Sequence, residues 1–75
     1  ELYPTQANYY YYAGFGYNQM KNFKKAKELL ENGLDFVLEN KTLEANFYKQ
    51  LIISCENLND NAKKQLYSNK LKQTK

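Results

Sequence analysis

The stretch YYYAGFGYNQMKNFKKAKELLENGL, residues 10–34, contains two helical patterns separated by a short polar break. Its first part places Tyr10, Ala13, Gly14 and Tyr17 at the spacing i, i+3, i+4, i+7, which is one face of an α-helix. A glycine inside a helix costs about 1 kcal/mol relative to alanine. Gly14 therefore predicts that a neighbouring helix passes close to this face.

The second part of the stretch continues to about residue 38 with apolar residues on one broad side and charged residues on the other. The apolar side holds Phe23, Ala26, Leu29, Leu30, Gly33, Leu34, Phe36 and Val37. An arc this wide contacts more than one neighbouring helix, whereas a coiled coil needs only a narrow seam. The pattern therefore predicts a layered stack of helices.

The remaining chain repeats these features after a break that ends at Thr42, a residue able to cap a third helix. Tyr48, Leu51, Ile52 and Cys55 repeat the first spacing, and a weaker stripe follows at Ala62, Leu66, Tyr67 and Leu71. Asn-rich turns at 18–22 and 57–61 separate the helices, and Asn tolerates a left-handed helix end. We predict an all-α fold of four antiparallel helices near residues 5–19, 22–38, 42–57 and 60–72, the first beginning at Pro4 and Thr5.

Composition limits the functions open to this chain. Its 75 residues are 43% hydrophobic and 25% charged with a net charge of +3, which fits one small globular segment over residues 1–75. There is no His, no Arg and one Cys, so disulfides, zinc sites and the commonest general base are excluded within it. Glu28, Glu31 and Asp35 share the polar side of a helix, which favours a solvated face over a catalytic site. We expect no enzymatic activity, no cofactor and no small-molecule substrate.

The sequence says less about the cellular compartment. No apolar run approaches the roughly 20 residues of a membrane helix, so no membrane span is expected. The chain begins at Glu1 without Met, and we expect it to be a fragment of a longer protein. The lone Cys55 fits either a reducing compartment, which slightly favours the cytoplasm, or simply a small core residue. A signal peptide on a parent chain would instead indicate a bacterial periplasm or envelope.

The first hairpin, residues 5–38, resembles a tetratricopeptide repeat. That family's signature is a large aromatic residue, two residues, Leu-Gly, two residues and Tyr, followed by Ala, three residues and a large apolar residue. Tyr10, Ala13-Gly14, Tyr17, Ala26 and Leu30 follow this order, with Gly33 behind them. Pro4 also stands where the family often has a proline between repeats.

The second hairpin, residues 42–72, is a more degenerate match. Tyr48, Leu51 and Cys55 fit, but Ile52 replaces the glycine, and Lys64 and Ser68 stand at apolar positions. The offset from Tyr10 to Tyr48 is longer than the usual period of about 34 residues. These departures are typical of a terminal repeat that closes an array. The segment from Leu34 to Tyr48 is also similar to the C-terminal repeats of tetratricopeptide proteins from Bacteroidetes.

The resemblance implies a right-handed solenoid that binds a peptide or a partner helix on the concave face, lined by the first helix of each pair. At about 100° per residue, one sector of the first helix beside the core face holds Asn8, Tyr11, Phe15 and Asn18. The equivalent positions on the third helix are Asn46, Lys49, Ile53 and Glu56. Tyrosine offers broad contact area and Asn can bond a main chain, so we expect a protein or peptide partner here.

Two alternatives stay open for the same residues. Tyr11 and Phe15 could instead pack on a preceding repeat, because each repeat of a solenoid buries its neighbour's face. Two repeats alone are only marginally stable, so we expect either upstream repeats or self-association through the first helix to cover its tyrosines. Six of the eight tyrosines of the chain lie at or before Tyr17. Consecutive tyrosines at 9–12 point in different directions and form no stacking platform; we expect two or three of them to pack and one to lie at the surface.

A basic C-terminal helix that contacts nucleic acid or an anionic surface is the rival function. Residues 61–75 carry five Lys and no acidic residue, whereas residues 1–60 carry six Lys and eight acidic residues. Because the chain has no Arg, bidentate recognition of phosphate or bases is not available to it. Nucleic acid is therefore not the partner that we expect.

Overall fold

The computed structural model describes residues 6–37 and 40–73, and all regular secondary structure among them is helical. The helices are α1 (Gln6–Gln19), α2 (Phe23–Leu34), α3 (Lys41–Asn57) and α4 (Asn61–Gln73). Helix α1 packs on α2, α2 on α3 and α3 on α4, and α1 also contacts α3. The prediction of an all-α fold with four helices is confirmed, while Pro4 and Thr5 lie outside the described residues.

One predicted helix end and one predicted helix cap were wrong. Helix α2 ends at Leu34 instead of near residue 38, because the amides of Phe36 and Val37 bond three residues back, to Gly33 and Leu34. The Phe36 ring leaves the helix and stacks on Tyr10, with centroids 5.6 Å apart. Helix α3 is capped by Asn40 and not by Thr42, since the Asn40 side chain accepts a hydrogen bond from the Leu43 amide (3.0 Å).

The turns that close the two hairpins have the same backbone structure. Helices α1 and α3 are each followed, two residues after their last helical residue, by a residue with positive φ: Lys21 (φ 64°) and Asn59 (φ 60°). A lysine therefore takes the left-handed position in the first turn, where the sequence suggested an asparagine. In the first turn, the Asn22 amide donates to the Tyr17 carbonyl (2.8 Å) and the Lys21 amide to the Asn18 carbonyl (3.0 Å). In the second turn, the Asp60 amide donates to the Cys55 carbonyl (2.9 Å) and the Asn59 amide to the Glu56 carbonyl (3.2 Å). Both turns are therefore Schellman motifs. The number of residues from Lys21 to Asn59 is the same as that from Tyr10 to Tyr48.

The helix starts that follow these turns match in the same way. The Asn22 carboxamide oxygen accepts from the amide of Lys25 (3.4 Å), and the Asp60 carboxylate accepts from the amide of Lys63 (3.2 Å). Asn22 and Asp60 are again separated by the offset from Tyr10 to Tyr48, which we call the hairpin offset. Residues related by the hairpin offset are hence structurally equivalent in the two hairpins.

The core lies where α1, α2 and α3 meet and extends to α4. Its fully enclosed large side chains include Leu30 from α2 and Phe47 and Leu51 from α3. The sequence pattern placed Leu30 and Leu51 correctly but missed Phe47. On α4, Tyr67 is buried as predicted, whereas Leu66 is exposed, so the predicted apolar stripe of this helix was partly wrong.

The predicted close approach at Gly14 is confirmed, and Gly33 makes a second one. A Cβ added to Gly14 would overlap the Leu30 side chain. One added to Gly33 would overlap Cβ of Tyr10 and lie 2.7 Å from Cε2 of Phe47. The two glycines thus allow α1, α2 and α3 to pack closely.

Replacing Gly33 with Ala is expected to lower the free energy of unfolding by about 1–3 kcal/mol, because overpacking exceeds the gain in helix propensity. Cβ of Tyr10 is fixed to its backbone, so α1 itself must shift. Gly16 is the matched control: a Cβ there meets no atom within 4 Å, and its replacement with Ala should stabilise the helix by about 1 kcal/mol. Urea titrations of both variants test this, and equal stabilisation by both changes would refute the close packing at Gly33.

No helix within the described part of the chain is both long and apolar enough to cross a lipid bilayer.

Candidate functional site

Two of the predicted partner-binding residues, Tyr11 and Asn18, lie along the line where α1 and α3 meet. Near one end the rings of Tyr11 and Phe47 contact each other, with centroids 5.6 Å apart. Farther along, the Ser54 hydroxyl donates to the side-chain oxygen of Asn18 (2.7 Å). Residue numbers rise together on both helices between the first contact and the second, so α1 and α3 run in the same direction.

Asn18 is inside this line of contact and not on the surface. Its side chain is only 8% exposed, and its amide nitrogen donates to the main-chain and side-chain oxygens of Gln50, both at 3.0 Å. With the bond from Ser54, the carboxamide joins α1 to α3 through three hydrogen bonds. Asn18 thus has a structural role in this segment, although its spacing groups it with the predicted surface residues.

Six of the other predicted residues, which lie at equivalent positions of α1 and α3, make up what we call the exposed strip. Its members are Asn8, Tyr11 and Phe15 on α1 and Asn46, Lys49 and Ile53 on α3. Phe15 is 38% and Ile53 is 40% exposed, and the two are equivalent by the hairpin offset. Lys49 is exposed, whereas Asn8, Tyr11 and Asn46 are half-buried. The strip therefore combines the Tyr11 phenol with two apolar side chains, two amides and one cation.

Tyr11 connects the strip to the core. Its ring lies 6.3 Å from that of Phe15, measured between centroids, and it also packs on Phe47. A change at Tyr11 therefore affects stability as well as the surface. Phe15 and Ile53 are better positions at which to alter the surface alone.

A second set of polar contacts joins α2 to the start of α4. The Glu31 carboxylate accepts hydrogen bonds from the Lys63 ammonium (3.0 Å) and the Tyr67 hydroxyl (2.9 Å), and Lys27 pairs with Asp60 (3.0 Å). Lys27 and Glu31 also line an open cleft of about 560 Å³, together with Lys24, Glu28, Asn32 and Leu58. The two residues at this cleft that belong to the contacts above therefore already have intramolecular partners.

These contacts shift the ionisation of several groups. Burial, together with hydrogen bonds to Glu31 and Glu44, raises the pKa of Tyr67 and raises that of Tyr48 to about 12. The hydrogen bond with Asp60 raises the pKa of Lys27 and lowers the pKa of Asp60. The folded state therefore retains protons in alkali that an unfolded chain would release.

Stability is accordingly expected to fall above about pH 10, since a raised phenol pKa stabilises the fold below its ordinary value and is lost as pH rises towards the folded value. Each phenol should contribute about 1 kcal/mol of this loss by about pH 11. A chain with Tyr48→Phe and Tyr67→Phe should lose less stability than the unaltered chain between about pH 8 and pH 11 in urea titrations. Lys27 and Cys55, which also have a raised pKa, are common to both chains. Identical losses of stability in the two chains would therefore show that the phenols do not contribute.

Some lysines of α4, the helix expected to contact nucleic acid or an anionic surface in the rival function, already form ion pairs within the chain. Lys63 pairs with Glu31 at 3.0 Å and Lys64 with Glu56 at 3.6 Å. Both cations therefore serve contacts between helices, and Lys75 lies outside the described residues. These two ion pairs leave Lys63 and Lys64 less available to an outside partner.

Within the described ranges, His, Cys, Asp and Glu side chains form no group of three or more that could hold a metal ion. A search with family models, curated proteins and solved structures found no match to this chain.

Proposed function

We propose that this chain is a non-catalytic protein-interaction module, built as two hairpins of a tetratricopeptide-type solenoid. In this proposal the exposed strip binds an extended peptide or a partner helix. The equivalence of Phe15 and Ile53 carries it: the two hairpins present a large, part-exposed apolar side chain at the same position.

The order of helix contacts supports the solenoid arrangement. Each helix packs on the next along the chain, and the first helices of the two hairpins contact each other. The turn and the cap, both repeated at the hairpin offset, indicate one structural unit used twice. Stacked units of this kind place equivalent residues in rows along one surface.

The chemistry of the strip suits a short peptide. Phe15 and Ile53 can take apolar side chains of the partner, and aromatic anchors contribute strongly to such contacts. The Asn46 amide, in the same sector of α3 as Ile53, can bond the main chain of the partner. The Lys49 ammonium adds a preference for an acidic residue near Ile53.

A peptide-display experiment tests this proposal and does not require the natural partner. Random peptides are selected on the unaltered chain, and their affinities are then measured for a variant with Phe15→Ala and Ile53→Ala. Removing both apolar contacts should weaken binding at least about tenfold, which is about 1.4 kcal/mol. Helicity should be preserved because both side chains are part-exposed.

A variant with Met20→Ala and Leu66→Ala is the matched control, since it removes two exposed apolar side chains outside the strip. It should bind the selected peptides as the unaltered chain does. Equal affinity for the strip variant and the unaltered chain would overturn the proposal. A double change at Tyr11 and Phe15 is less informative, because Tyr11 also packs on Phe47.

A further inference from the structure

We infer that the outer face of α1, formed by Tyr9, Tyr12 and Gly16, is a docking surface for a further helical hairpin built like residues 6–34. This face is distinct from the exposed strip. The inference rests on the solenoid arrangement in the proposed function, but it needs no peptide binding.

The hairpin offset identifies the outer face as the counterpart of a buried surface on α3. Tyr9 corresponds to Phe47, Tyr12 to Gln50 and Gly16 to Ser54. On α3 these positions are covered: Phe47 and Ser54 are fully buried and Gln50 is half-buried.

On α1 the same positions are open. Tyr9 is 64% and Tyr12 is 69% exposed, and a Cβ on Gly16 would meet no atom within 4 Å. The expectation that only one of the consecutive tyrosines lies at the surface was therefore wrong, since two do. The surface at these equivalent positions is thus covered on α3, in the second hairpin, and uncovered on α1, in the first.

The residues that cover the α3 surface indicate which residues a hairpin docked on α1 would need. Gly33 of α2 leaves room for the Phe47 ring, and Asn18 of α1 bonds Gln50 and Ser54. A hairpin that docks on α1 would therefore carry a small residue above Tyr9. At the counterpart of Asn18 an apolar residue would suit better, because Tyr12 lacks the carboxamide of Gln50 and Gly16 lacks the Ser54 hydroxyl, which removes two of the three hydrogen bonds.

A second copy of this chain, stacked head to tail, is a poorer occupant. Its C-terminal hairpin would present Leu71 at the counterpart of Gly33 and Glu56 at the counterpart of Asn18. A leucine removes the space needed above Tyr9, and a carboxylate would lie against Tyr12 and Gly16. The occupant is hence another hairpin that resembles the first one.

A tandem chain tests the inference. Residues 1–38 are duplicated ahead of Glu1, so that the added hairpin precedes α1 at the chain distance that separates the existing hairpins. The variant Tyr12→Cys in the original part supplies an accessible thiol, while Cys55 is buried. Its reaction with a soluble disulfide reagent is measured with and without the added hairpin. A second tandem carries Asn18→Leu in the added hairpin, to suit the apolar surface.

Docking should slow the reaction of the introduced thiol by about tenfold or more in at least one tandem chain. Met20→Cys is the control, because Met20 is at the hairpin tip, and its thiol should react at the same rate in all chains. Unslowed reaction at position 12 in both tandems overturns the inference, and so does a tandem that is less helical per residue than the original chain. Failure of peptide binding would leave this result unchanged, so the two proposals can fail separately.

Discussion

Replacing Phe47 with Ala is expected to leave most of the chain unfolded at room temperature. Phe47 is fully enclosed, in contact with Tyr11 of α1 and within the space left by Gly33 of α2. Truncating a buried phenylalanine costs about 3–5 kcal/mol. A core of this size rarely supplies more than about 3–5 kcal/mol of net stability. The change should therefore remove nearly all of it, seen as lost helical circular dichroism.

Tyr9 is the matched control for this experiment, because it is equivalent to Phe47 and exposed. Tyr9→Ala should change stability by no more than about 1 kcal/mol. The contrast tests the claim that the α3 surface is covered and the equivalent α1 surface is not. Similar losses in the two variants would mean that this assignment of burial is incorrect.

Replacing Asn18 with Asp is expected to destabilise the fold by about 2–4 kcal/mol at neutral pH, because it leaves a charge in a largely buried site. The carboxylate would face two oxygens of Gln50 that now accept hydrogen bonds. The same environment raises the pKa of the introduced carboxyl group above its ordinary value. The difference from the unaltered chain should hence shrink as pH falls towards about 4 and the group is protonated.

Urea titrations of both chains across this range give that difference directly. Asn61→Asp is the control, because Asn61 is the exposed first residue of α4, where a negative charge is tolerated or favourable. It should change stability by no more than about 0.5 kcal/mol. A loss in Asn18→Asp that is small, or that does not depend on pH, would contradict the buried role of Asn18.

The helices were predictable because local signals agreed with the final packing. The 3.6-residue period of apolar residues located all four helices. Gly14 indicated the close approach of a neighbouring helix, and the side chain that comes close to it is Leu30. The end of α2 was not predictable, since Phe36 continues the apolar pattern but stacks on Tyr10 outside the helix. A long-range contact prevails there over the local period.

The candidate site was predictable as a sector of the helix but not residue by residue. Phe15 and Ile53 are part-exposed, as a surface role requires, whereas Asn18 falls in the same sector and is buried by Gln50 and Ser54. Equivalent aromatic residues also differ, since Tyr9 is exposed and Phe47 is enclosed. Spacing gives the direction of a side chain, but which neighbour covers it depends on tertiary packing.

The central claim is that the exposed strip along α1 and α3 is the surface that binds a partner. The most direct measurement is the map of amide chemical-shift changes when a display-selected peptide is added to the isotopically labelled chain. The proposal predicts that the changes concentrate at Phe15, Asn46, Lys49 and Ile53. Changes confined to the lysines of α4, or to the outer face at Tyr9 and Tyr12, would contradict it.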